Sequence, residues 1–377
     1  MQEDGQSLPV IDTTNGPPPT VPLPPGYARR VAVAVLIALA LLAVAYLIWR
    51  SLGILLEAFA GALLALLLYT LSAWVRRATG LRHGWSLAIV VVVLFACTAG
   101  LGWLLASRLS AQLSELTQKL PESLATLRDS LSQHAWGRVL IESTQPAAES
   151  IANNFSRITG FASSVGEFLV AVVVILFVGV FGAAEPDVYR RGFLHLVPPD
   201  QRRRAGEALD AVAYNLRWWL VGQVILMVLM WITTTLGLWL IGVPLAVALG
   251  VIAGLLEIIP YIGPWLSAVP ALLIALLLSP FHVFVVGGLY LGLHIVEGYI
   301  LVPLLQRGVV EMPPALTLVT QVLLGELAGM RGLVVAAPLV VTTVVLLKLL
   351  YVEDTLGDQT IDVPGEHPAH RIETGHT

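Results

Sequence analysis

Two stretches of this chain, Val31–Trp49 and Trp85–Ala106, run for 18 or more residues without a single formal charge. A helix rises about 1.5 Å per residue, so roughly 20 apolar residues match the ~30 Å hydrocarbon core of a bilayer. Charged residues make up only 12% of the 377, about half the usual share of a domain that folds in water. The sequence therefore predicts an all-α polytopic membrane protein.

Further apolar runs place membrane segments at 31–49, 53–74, 85–106, 165–183, 217–241, 244–279, 283–305 and 315–350. That is about eight crossings, two of which are broken or re-entrant. Residues 244–279 are too long for one crossing and are interrupted by Pro260-Tyr-Ile-Gly-Pro264. Residues 315–350 are cut in the same way by Gly329-Met-Arg-Gly332. Trp49, Trp74, Trp85, Trp103, Trp218, Trp219 and Trp239 lie near segment ends, where an indole prefers the headgroup layer.

Outside the segments, three regions stand apart. Residues 1–28 hold seven prolines and read as a disordered arm ahead of a membrane transport domain over 29–350. Residues 351–377 read as an acidic disordered tail whose His367, His370 and His376 are solvated rather than metal-bound. Within the transport domain, the 107–164 insertion carries leucines at 109, 113, 116, 120, 124, 127 and 131. That near-heptad stripe makes it an amphipathic helical insertion outside the bilayer, either an oligomer contact or a helix packed on its own subunit or on lipid. A second amphipathic helix is expected from an N-cap at Asp200, presenting Arg202, Arg203 and Arg204 to anionic headgroups.

Arginine placement orients the chain. Arg29 and Arg30, the 75–84 loop and the 184–217 loop fall on one side if the segments alternate. The positive-inside rule makes that side, and the N-terminus, cytoplasmic. An even number of crossings returns the C-terminus to the same side.

Several functions are excluded by composition. A net charge of −4 gives no basic face for nucleic acid. The one cysteine, Cys97, allows no internal disulfide, and neither lysine (Lys119, Lys348) follows a glycine as in a P-loop. No hydrolase motif occurs. The chain reads as a non-enzymatic carrier, channel or scaffold.

A carrier is marked by broken helices and by ionisable groups at membrane depth. Glu257 lies three residues before Pro260, so a carboxylate shares one locality with unwound backbone and Tyr261. Glu297 follows fourteen residues with no formal charge, and His294 lies one turn before it; such a pair holds and passes a proton, or makes a structural hydrogen bond. Gln321 and Glu326 lie in the first half of the other broken segment, with Arg331 past the break and free to pair with Glu326. Glu57, near the start of its segment, is expected to reach the interface. Gly250/Gly254, Gly288/Gly292 and Gly325/Gly329 give three helices small faces, which serve close packing or a sliding contact.

Three motifs then carry a family resemblance. Leu256-Glu-Ile-Ile-Pro260-Tyr-Ile-Gly-Pro264, followed by Ala268-Val-Pro270, is the first. Val296-Glu-Gly-Tyr-Ile-Leu-Val-Pro303 is the second, and Gly325, Gly329, Gly332 and Pro338 form the third. In this order they resemble the autoinducer-2 exporter (AI-2E) family of bacterial permeases over about residues 30–350. The resemblance implies an inner-membrane protein with no cofactor, assembled as a homo-oligomer and specifically a pentamer. It carries over Glu257, Pro260, Gly263, Pro264, Glu297, Pro303, Gly325, Gly329 and Gly332 as pathway residues. Glu326, Arg331 and the Pro-rich arm depart from the family pattern. The implied function is proton-coupled export of a small polar solute such as the autoinducer-2 quorum signal. A sodium (cation)–proton antiporter on the same scaffold, or a non-transporting scaffold, are the alternatives.

Overall fold

The computed structural model describes residues 27–103, 165–306, 309–357 and 363–365. The leucine-striped insertion, most of the Pro-rich arm and the three tail histidines lie outside them. The described residues form helices and turns with no strand among them, as expected for a chain whose backbone donors must be satisfied within lipid.

Two compact units divide the chain between Leu52 and Gly53. In the first, most of the described side chains are apolar and exposed, Leu36, Leu41 and Leu42 among them. Helix α1, Tyr27–Thr79, is assigned without interruption, so the loop expected at 50–52 is helical. Gly53 opens the next expected segment, but one glycine costs a helix only about 1 kcal/mol, and its strongly helix-forming neighbours offset that.

The second unit continues with α2 (His83–Trp103), α3 (Val165–Ala184) and α4 (Pro186–His195). The described part of α3 and α4 meet at a 94° bend, set by Pro186 at the start of α4. Helix α5, Arg202–Ile241, is the longest in this unit, at 40 residues. It begins after Gln201, with no side-chain cap, so the expected cap at Asp200 is not used. Gly242 ends it in the left-handed conformation (φ 84°), and Val243 N–H bonds back to the Leu238 carbonyl.

The arginines at the head of α5 do not all reach for headgroups. Arg204 pairs with Glu207, Glu353 and Asp354, and Arg203 with Glu207. Asn215, fully buried, donates to the Pro364 carbonyl and accepts from Val310 N–H. Those contacts seat residues 363–365 on α5, with Val363 in the core beside Ala208, Ala211 and Val341. Trp219 is also core, 2% exposed, and not an interfacial indole.

The expected break in 244–279 is present. Helix α6 (Ala246–Leu256) and helix α7 (Ile262–Leu278) flank residues 257–261. With 11 and 17 residues, they rise about 16 and 25 Å, and neither spans a bilayer core alone. Extended Ser279 joins α7 to α8 (Pro280–Val296), which continues through a π-helical stretch, Glu297–Leu301, to Leu305. The last expected segment resolves into a hairpin of α9 (Pro314–Ala328) and α10 (Met330–Leu346), the latter running on to Glu353. Five described helices are long and apolar enough to cross a membrane, or six if the bent α3–α4 pair counts as one span. Helices α6, α7 and α9 are apolar too, but shorter.

Candidate functional site

Proline chemistry sets the geometry of the first break. The last turn of α6 tightens, with Ile258 and Ile259 N–H bonding three residues back, to Leu255 and Leu256. Pro260 has no N–H to continue the ladder. The chain then reverses through Tyr261 (φ 65°, ψ −47°), and Ile262 N–H closes onto the Pro260 carbonyl at 2.8 Å. This is a γ-turn of the rare positive-φ kind, a strained conformation for a residue with a side chain. A Cβ on Gly263 would stand 1.8 Å from the Leu256 carbonyl oxygen, so only glycine lets the two helix ends approach this closely.

Two amides clamp this break. Gln223 of α5 donates to the Glu257 carbonyl, and Gln321 of α9 donates to the Pro260 carbonyl at 2.7 Å. Side chains thus replace helical partners that the unwound backbone has lost. Glu257 itself is 1% exposed.

The second irregularity is at Glu297. Pro303 cannot donate to the Tyr299 carbonyl, and Val302 N–H reaches five residues back, to Glu297. A π-stretch of this kind often accompanies a functional site. His294 Nδ1 lies 3.5 Å from Glu297 Oε2, and the His294 ring meets those of Trp265 and Tyr290 in T-shaped arrangements.

These two irregular segments meet. The Glu257 and Glu297 carboxyls are close enough to act directly on one another, at the wall of a cavity of about 410 Å³. Of the residues expected from sequence, Glu257, Pro260, Tyr261, Pro264, His294 and Glu297 line it. Polar atoms around it lack hydrogen-bond partners among the described residues: Glu257 Oε2, both His294 ring nitrogens, Gln321 Oε1 and Trp219 Nε1. Buried polar groups left unmet in this way are costly unless something else meets them.

Other expected residues sit elsewhere. Gln321 lies behind the cavity wall, holding Pro260. Gly329 (φ 62°, ψ −142°) makes the one-residue turn between α9 and α10. Gly325 and Gly332 let those helices touch, since a Cβ would meet Leu333 at 2.9 Å and the Leu324 carbonyl at 2.0 Å. Pro303 stands in the helix beyond the π-stretch.

Two expectations for charged groups are corrected. Glu57 does not reach the interface: it is 7% exposed and pairs with Arg331 at 2.7 Å. Arg331 therefore bridges to the second expected membrane segment, and its nearest carboxylate is not that of Glu326. Sequence reasoning also passed over Gln223, Gln306, Thr317 and Trp265, all at the cavity wall. Gln223 carried a signal, being an amide inside an otherwise apolar span.

Residues 35–351 match the AI-2E family transporter profile. The chain belongs to the AI-2E family. It is 27% identical over 288 residues to the candidate transport protein YrrI of Bacillus subtilis, covering 72% of this chain and 79% of that one. It is 28% identical over 283 residues to the candidate transport protein YhhT of Escherichia coli, covering 73% and 78%. A Mycobacterium tuberculosis relative, MT0215, named in the same way, is 26% identical over 277 residues, covering 69% and 73%. With its membrane-length helices, this AI-2E member is a multi-pass membrane transport protein.

Proposed function

We propose that this AI-2E protein is a proton-coupled secondary transporter of the bacterial inner membrane, exporting a small polar solute through the cavity. The autoinducer-2 signal is one such cargo. One observation carries this reading: an acid from a broken helix and an acid from a π-distorted helix line the same cavity, around which polar atoms lack partners among the described residues. Adjacent carboxylates in a medium of low dielectric repel strongly, and one proton or one bound donor relieves that repulsion. Solute and proton therefore compete for the same oxygens, and exchange follows if the cavity opens to each side in turn. His294 beside Glu297 is the relay by which a proton reaches the pair.

Cation–proton antiport on the same scaffold is the second reading, favoured by the paired carboxyls themselves. In both readings the N- and C-termini are cytoplasmic, lipid surrounds the helices, and the chain works as a homo-oligomer, a pentamer by family resemblance. The test is flux of solute and of sodium from purified protein in liposomes, with and without a pH gradient. Glu257→Gln combined with Glu297→Gln should abolish gradient-driven flux while leaving the protein folded. A double variant that still concentrates solute removes both acids from coupling, and no flux of either kind by the unaltered protein leaves the scaffold reading.

A further inference from the structure

The cavity wall has an unbalanced chemistry. Among the described residues lining it there are two carboxyls, Glu257 and Glu297, and neither lysine nor arginine. Three aromatic rings, Trp219, Tyr261 and Trp265, share the wall. Each ring presents a face of negative electrostatic potential, which attracts a cation and repels an anion. Glu257 Oε2, on a side chain 1% exposed, has no hydrogen-bond partner among the described residues. An ionised carboxylate carries negative charge, so its natural complement is a positive charge, whether on an ammonium that also donates N–H or on a quaternary nitrogen that acts by charge alone.

We propose that the cargo of this cavity is a small organic cation, an alkylammonium or quaternary amine. Its charge sits between Glu257 and Glu297, and its hydrocarbon body lies on the rings of Tyr261 and Trp265, which are 41% and 61% exposed. This rests on the transporter reading above and names the class of solute carried. Size separates it from an inorganic ion. About 410 Å³ lies within the range that encloses small organic ligands, and a sodium ion would leave most of that space to water. An anionic solute would meet two carboxyls, with neither lysine nor arginine among the described lining residues to receive it. His294 also lines the cavity, with Nδ1 3.5 Å from Glu297 Oε2.

The test uses full-length protein, choline and tetraethylammonium as cationic probes, and two neutral controls. These are 3,3-dimethyl-1-butanol, which matches choline in shape without its charge, and ribose. Binding is read as thermal stabilisation in detergent, and transport as uptake into proteoliposomes. Choline should bind at least about tenfold more tightly than its neutral isostere, and the Glu257→Gln, Glu297→Gln variant should lose that preference. Binding of the cations without uptake would support the cargo class and overturn the transporter reading. Uptake of ribose with no response to either cation would overturn the cargo class and leave transport standing. Equal binding of choline and its neutral isostere, or no response to any probe, would also overturn the inference.

Discussion

The Arg331 guanidinium meets the Glu57 carboxylate at 2.7 Å, tying the tip of the α9–α10 hairpin to helix α1 within the second unit. Glu57 is the buried partner, while the Arg331 side chain is 41% exposed. Replacing Arg331 with Leu takes away that counter-charge from a carboxylate already shielded from solvent. Partial exposure of the arginine reduces the cost to about 1–2 kcal/mol. Thermal unfolding in detergent should show this loss, and Glu57→Gln together with Arg331→Gln should cost less than the two single losses combined. Strict additivity would mean the pair is not coupled.

The three small-residue faces separate into distinct classes. A Cβ at Gly250 would stand 2.0 Å from the Thr235 hydroxyl, and one at Gly254 would stand 2.5 Å from the Met227 carbonyl oxygen. At Gly288 and Gly292 nothing lies within 4 Å. Alanine at 250 or 254 should therefore lower the melting temperature by forcing α5 and α6 apart. Alanine at 288 or 292 should be neutral or stabilising by up to about 1 kcal/mol through helix propensity. Comparable losses at all four positions would contradict this packing.

Tyr261 occupies backbone space that glycine would adopt freely. Tyr261→Gly should relieve about 1 kcal/mol of strain, set against loss of a ring that is 41% exposed. A net gain in melting temperature together with slower flux is expected, because the ring lines the cavity. Loss of stability would mean the ring's contacts outweigh the strain.

The glutamine clamps are testable by accessibility. Gln321→Leu leaves the Pro260 carbonyl with only its Ile262 partner, a loss of about 1 kcal/mol. With the exposed Cys97 replaced, an Ile262→Cys probe should react faster with polar thiol reagents in that background. Gln223→Leu should act in the same direction from the other side of the break. Unchanged labelling in both would show that the break holds its shape without the amides.

Legibility in the sequence followed the range of each effect. The break at 257–261 could be read because proline and glycine act on the backbone where they stand. The same locality explains the turn at Gly329. Glu57 and Arg331 were each visible, but their pairing depends on how distant helices pack, and spacing along a helix says nothing about that. Trp219 near a span end suggested the headgroup layer, and only the neighbouring Val341 and Ala337 make that position core. The continuous assignment through Arg50–Gly53 shows the opposite case. Two apolar runs read there as separate spans, and the residues between them are helical as well.

The π-stretch at Glu297–Leu301 is in effect an ordinary helix carrying one surplus residue. A single residue turns an α-helix by about 100°, so everything beyond the stretch faces differently from where regular winding would place it. Val302 and Gln306 reach the cavity wall from beyond it, while His294 and Glu297 reach the wall from its start. Deleting Gly298 would give this segment a more regular helix, and it would also rotate the two groups of side chains off their common wall. A chain one residue shorter here would be better wound and would have no shared binding face.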